Sequence, residues 1–148
     1  MNETHAQFNQ YLHERILILL YQKEFRPEDI EYLNQLMDED VDPEVDIVLA
    51  EAPIQLTNHI IELTAEIDGY IQEFLENWSF DRIMLIDKES IRIGVYELLY
   101  QRDLEPKIVI DRLVRLSKKY GGENSSKFVN GILGAVYRKF ISEKEQMV

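Results

Sequence analysis

The 148-residue chain has no cysteine, few prolines and glycines, and only 16 basic side chains against 28 acidic ones. Without cysteine there is no disulfide scaffold, no thiol nucleophile and no Cys-containing zinc site. No apolar run approaches the ~18 residues of a membrane-spanning helix, and the opening MNETHAQFNQ has neither the basic patch nor the apolar stretch of a secretion signal. A cytoplasmic protein is therefore expected. His5, His13 and His59 form no HExxH, and no carboxylate-rich run has the spacing of a calcium loop. GGENSSK has the composition of a phosphate loop without its spacing, and no strand leads into it, so ending one helix and capping the next is its simpler role. No metal, cofactor or catalytic constellation is expected, and a binding protein is a better reading than an enzyme.

What is present is enough apolar material for one core. At 45% hydrophobic residues, a chain of this length buries roughly 68–70% of its unfolded surface without needing a staple, so a single domain over 1–148 is expected. The formal net charge of −12 argues against a polyanionic ligand, since phosphate binding depends on cations that displace condensed counterions. The charge is unevenly spread, however. Residues 1–80 hold 18 acids against Arg15, Lys23 and Arg26, whereas residues 81–148 hold 10 acids and 13 bases. Between Lys107 and Lys139, eight bases face only Asp111 and Glu123. Such a run is either a solvated helix face or an anion-binding surface.

Apolar spacing predicts helices almost throughout, with no period-two strand pattern, so the fold class is all-α. Phe8, Tyr11, Leu12, Ile16, Leu19 and Leu20 mark a first helix ending near Glu24, with Thr4 and Gln7 at capping-box spacing. Pro27 suits the first turn of a short second helix that buries Ile30, Leu33, Leu36 and Met37. An acidic, turn-prone segment follows at 38–46. From Pro53, one stripe of Leu56, Ile60, Leu63, Ile67, Tyr70 and Phe74 predicts a single helix to about Asn77, whose interior Gly69 marks a close approach or a bend. Ser79 and Asp87 are plausible caps for a short helix through Ile86 and for another over Lys88–Gln101. Pro106 lies in a turn before a helix ending at Gly121-Gly122, and Asn124 or Ser125 caps a last helix that buries Val129, Ile132, Leu133, Val136 and Phe140 before fraying into SEKEQMV.

Three ordered segments carry a family resemblance: WSFDRIMLIDKESIRIGVYELLY from Trp78, PKIVIDRLVRLSKKYGGENS from Pro106, and SKFVNGIL from Ser126. Together they resemble the NusB family of bacterial transcription antitermination factors, and LLYQ at 19–22 adds to the match in the first half. The resemblance implies a two-lobed bundle of about seven helices without catalytic activity. It also implies binding of boxA-type single-stranded RNA from ribosomal RNA operon leaders, jointly with the ribosomal protein that serves as NusE, within the RNA polymerase antitermination complex. The fold also permits homodimers. Single-stranded RNA is held by cations on phosphates, aromatic faces under unstacked bases and amides on base edges. The residues matching family RNA-contacting positions are Lys127, Phe128 and Asn130 in SKFVNG, Tyr21 in LLYQ, and Asp87 and Arg92 in IDKESIR. Structural roles compete with each: core packing for Phe128 and Tyr21, a loop hydrogen bond for Asn130, an internal ion pair for Arg92 and a helix cap for Asp87.

The chain departs from the family at its start. Where relatives carry several arginines, FNQYLHER offers only Arg15 and a mostly neutral His13. Losing three phosphate contacts at ~0.7 each lowers the log–log salt dependence of binding by roughly 2. Lys107, Lys118, Lys119 and Lys127 compensate only if they share the face that carries Phe128. The expectation is an RNA binder that leans on a basic companion protein. The alternative is a NusB-fold protein-interaction module with weakened or lost RNA binding, whose acidic half steers a cationic partner.

Overall fold

The structure is a computed structural model that describes the backbone of residues 2–37, 47–75 and 79–142, with side chains from residue 11 onward except at 47–50. The side chains of the expected Thr4–Gln7 capping pair and of the inward Phe8, the acidic segment 38–46, the helix end at Asn77 and the tail beyond Ser142 fall outside what is described. Among the described residues there are seven α-helices and no strand. They form two compact units, Met1–Glu62 and Leu63–Val148.

The first unit contains α1 (Asn2–Lys23), α2 (Ile30–Leu36) and α3 (Ile47–Glu62). Leu19 of α1 packs with Ile30 and Leu33 of α2, and Met37, Ile54 and Ile61 close around them. Each fully buried Leu or Ile contributes roughly 1.5–3 kcal/mol. α1 begins at Asn2, so Thr4 is inside the helix and not at its cap. α2 begins three residues after Pro27 because the Asp29 carboxylate accepts a hydrogen bond from the Tyr32 N–H at 2.9 Å, which satisfies an orphan donor that proline cannot help. Leu36, expected inside, is exposed, while Asn34 is buried in its place.

The single helix expected from Pro53 to Asn77 is two helices. α3 starts six residues before Pro53, which sits buried in its interior and lacks the N–H for one helical bond. The break falls at Leu63, with φ −95° and ψ 5°. No glycine or proline marks that position, so the apolar stripe runs across the break without signalling it.

The second unit contains α4 (Thr64–Gln72), α5 (Leu85–Tyr100), α6 (Pro106–Gly121) and α7 (Glu123–Tyr137), with a 3-10 turn at Phe80–Arg82 and a π turn at Arg138–Ser142. Gly69 lies within α4, and a Cβ there would meet nothing within 4 Å, so it marks neither a close approach nor the break. The short helix expected after Ser79 is reduced to the 3-10 turn. α5 is buried on every side from Glu89 to Tyr96, as expected of a helix at the centre of a bundle. Gly94 permits this, because a Cβ there would lie 2.5 Å from Leu133 and 3.1 Å from Leu113. α6 turns into α7 through Gly122, whose φ of 96° suits glycine. Pro106 is the first residue of α6 and not part of a preceding turn. α7 starts at Glu123, so Asn124 and Ser125 stand in its first turn and do not cap it. The π turn sets Phe140 edge-on to Tyr70 and Phe74, at 5.4 and 6.2 Å between ring centres.

Candidate nucleic-acid interface

Three helix ends of the second unit meet around a partly open pocket of about 470 Å³. The start of α5 supplies Met84 and Asp87, the end of α6 supplies Gly121, the first turns of α7 supply Asn124, Ser125 and Phe128, and the 3-10 turn adds Arg82 and Ile83. Asp87 was expected to cap its helix. It is instead the third residue of α5, because the helix begins at Leu85, and its side chain is 6% exposed and turned to the pocket wall. The Ser125 hydroxyl hydrogen-bonds the carboxylate, while Asp87 Oδ1 has no partner. Burial pushes the Asp87 carboxyl above its ordinary pKa, and the Ser125 bond offsets part of that rise. Gly121 keeps the corner open, since a Cβ there would run into the Ser125 side chain and stand 3.6 Å from Asp87 Oδ1.

Phe128 is half-buried and gives the pocket its aromatic wall. Lys127 and Asn130 are exposed on α7, three residues apart and so on one side of the helix, and neither lines the pocket. Arg92 does not reach the pocket surface. It is 9% exposed, forms a bidentate pair with Asp68 at 2.8 Å through two nitrogens, and donates to Glu89 at 2.8 Å. Its guanidinium also lies 5.6 Å from the centre of the Phe80 ring, over which Lys88 stands at 4.4 Å. The internal ion-pair role therefore describes Arg92, whose withdrawal would take a charge partner from the buried Glu89 and the half-buried Asp68.

Arg15 is likewise engaged inside the protein. It is 7% exposed, and its Nε and NH2 donate to the Asn34 side chain and carbonyl at 2.8 and 2.9 Å. A guanidinium so engaged fastens α1 to α2. The other two bases of the first 80 residues are also used locally. Lys23 donates to the Glu28 carbonyl at 2.9 Å, and Arg26 pairs with the Glu28 carboxylate at 2.9 Å. Tyr21 is 38% exposed and belongs to the first unit, where its ring lies 5.2 Å from that of Phe25, itself 67% exposed. Sequence reasoning missed Phe25, which stands outside any motif, and singled out neither Arg82 nor Met84 within the segment from Trp78. It noticed Asn124 and Ser125 but took them for caps. Among the described residues no group of three His, Asp or Glu side chains could hold a metal ion.

The fold and the pocket define an all-helical protein with a half-open pocket lined by aromatic, amide and charged groups. The NusB family model matches residues 12–138, which cross both units, and the chain belongs to the NusB family. It is 36% identical over 138 residues to the transcription antitermination protein NusB of Pseudothermotoga lettingae, covering 93% of this chain and 96% of the relative. Thermotoga maritima NusB superposes with a TM-score of 0.78 at 31% identity, covering 94% of this chain and 96% of that structure. The structure of antitermination factors NusB and NusE in complex with dsRNA gives a TM-score of 0.78 at 27% identity, covering 90% and 98%.

Proposed function

We infer that this chain is a transcription antitermination factor that binds boxA-type single-stranded RNA together with a NusE protein, acts in the cytoplasm and catalyses nothing. The observation that carries the reading is the pocket between α5, α6 and α7, where the Phe128 ring and a buried, half-satisfied Asp87 carboxylate converge. Phe128 offers a face to one unstacked base, worth about 1–3 kcal/mol. Asp87 Oδ1 can accept a hydrogen bond from a base amino group, and Asn124 can bond either donor or acceptor edges. Lys127 and Asn130, on the outer side of α7, meet the phosphates and sugars that connect successive bases. Arg82, at the pocket's lip, supplies a further cation. The similar structure of NusB and NusE in complex with dsRNA supports a NusE partner and an RNA ligand.

The local use of Arg15, Lys23 and Arg26 favours a second role for the first unit. With its bases tied to its own acceptors, this acidic unit suits a cationic protein surface better than RNA, and its negative field would speed that encounter. The two roles are compatible, with RNA on the second unit and the basic companion on the first.

Fluorescence anisotropy on boxA-type and scrambled RNA, at two salt concentrations and with or without NusE, tests the reading. The expected result is preference for boxA that strengthens with NusE. Equal, negligible binding to both RNAs with NusE present would refute it, whereas stable NusE binding without RNA recruitment would establish the chain as a protein-interaction module.

A further inference from the structure

We propose that the solvent face of α6 is an RNA-backbone platform that continues the pocket outward. The proposal rests on the RNA-binding reading of the pocket. α6 buries Val109, Leu113, Leu116 and Ser117 on one side. At 3.6 residues per turn, Lys107, Arg112, Arg115, Lys118 and Lys119 all fall within an arc of about 140° on the other side. Lys107, Arg115, Lys118 and Lys119 are exposed, and Arg112 is half-exposed. One acid, Asp111, shares this face.

The occupant follows from charge and from continuity. A face with five cations and one carboxylate calls for a polyanion. The Arg115–Asp111 pair is 3.1 Å long between side chains that are 77% and 58% exposed. Such a pair is worth at most about 1 kcal/mol and is screened by salt, so exchanging Asp111 for a phosphate costs little. With ~1.5 Å rise per residue, the stripe runs about 17 Å from Lys107 to Lys118, the length of a few nucleotides. Its end adjoins the pocket. Lys118 Nζ lies 3.9 Å from Glu123, the residue before Asn124, and Gly121, one turn beyond Lys118, is itself a pocket wall. A strand whose base rests on Phe128 can therefore lead its backbone onto α6 by displacing the Glu123 carboxylate from Lys118, which costs little because both side chains of that pair are exposed. No base-reading group is required there, so the contact is independent of flanking sequence.

The test compares the parent chain with an Arg115→Gln, Lys118→Gln, Lys119→Gln variant on two RNAs by anisotropy across a salt series. One RNA is a short boxA-type strand and the other is that strand with unstructured flanks at both ends. On the flanked RNA the variant should lose about 2 units of log–log salt slope, at ~0.7 per phosphate contact, and bind more weakly at low salt. On the short RNA it should match the parent. Parent binding to the short RNA, with the variant unchanged on the flanked one, overturns the platform alone. Parent binding to neither RNA, with NusE present, overturns the pocket reading and the platform with it. Capture of poly-glutamate by the parent but not the variant, with the flanked-RNA slope unchanged, assigns the face to an acidic polypeptide and overturns the proposal. Circular dichroism and thermal melting check that the exposed substitutions leave the fold unchanged.

Discussion

Replacing Asp87 with asparagine should stabilise the protein at neutral pH, because the carboxylate is held in an unfavourable place. Two effects oppose one another. Asp87 stands in the first turn of α5, where the helix dipole favours a negative charge by about 0.3–1 kcal/mol. Against this, the side chain is 6% exposed and Oδ1 has no hydrogen-bond partner, and leaving a buried polar atom unsatisfied costs about 1–3 kcal/mol, more when it is charged. The pocket is partly open, so water reaches its mouth and holds the penalty toward the lower end of that range. Desolvation still exceeds the favourable contacts, since the carboxyl titrates above its ordinary value despite the Ser125 bond. The net gain expected for Asp87→Asn at pH 7 is about 1 kcal/mol, or roughly 2–4 °C in Tm for a chain of this size. The sign of the pH dependence follows. With its native pKa raised, Asp87 contributes stability that is fully present below the ordinary carboxylate range and lost as pH rises through the native value. The advantage of asparagine should therefore be largest near neutrality and shrink toward zero below about pH 4. Urea unfolding at pH 7 and pH 4, read as the midpoint at unchanged m, measures both. A variant no more stable than the parent at pH 7, or a gain independent of pH, would refute the reasoning.

Four further outcomes follow from the geometry. Gly94→Ala should destabilise by about 1–3 kcal/mol or abolish folding, since its Cβ would overlap Leu133; a urea midpoint reports it. Gly69→Ala, in open space within α4, should stabilise by about 0.5–1 kcal/mol in the same assay. Arg15→Ala should cost about 2–3 kcal/mol by leaving the buried Asn34 side chain unpaired, and should leave the salt slope of RNA binding unchanged, because its guanidinium is buried against Asn34. Phe128→Ala should weaken boxA RNA binding by about 1–3 kcal/mol in anisotropy while largely preserving NusE binding.

Periodicity was sufficient for the fold class because buried apolar faces at three- and four-residue spacing need no tertiary information. α1, α6 and α7 form where their stripes lie, although Tyr11 and Ile108 of those stripes are exposed. It failed where a stripe continued through a break at Leu63, and where Pro53 read as a start although tertiary packing holds it inside α3. The number of helices agreed for a mixed reason: one expected helix is two, and another is a 3-10 turn. For the candidate site, Asp87 and Phe128 were legible and do share a pocket. The partners of Arg15 and Arg92 were not legible because a sequence displays an arginine's charge but not what it meets, and Asn34, Asp68 and Glu89 lie up to 24 residues away. Arg82 and Met84 were missed because a pocket formed by three helix ends leaves no local pattern.

The electrostatics also decide what the pocket can do by itself. Its walls carry one guanidinium, Arg82, and one carboxylate, Asp87, with Glu123 beside them and Lys127 outside the lining. Those charges nearly cancel, so the pocket can read a base but gains little from phosphates, whose counterion release supplies most nonspecific affinity. The first unit adds little, because Arg15 is buried against Asn34 and the unit's only other bases, Lys23 and Arg26, stand beside Glu28 among many acids. Cations must then come from α6, from Lys127 or from a companion protein. The first two can be reached by one strand running from α7 to α6. A basic partner drawn to the acidic first unit is the remaining source, and it would bring its charge to the RNA only when both proteins are present. A chain with a net charge of −12 can thus bind RNA if the tasks are divided, with specificity in a nearly neutral pocket and affinity in cations that lie outside it.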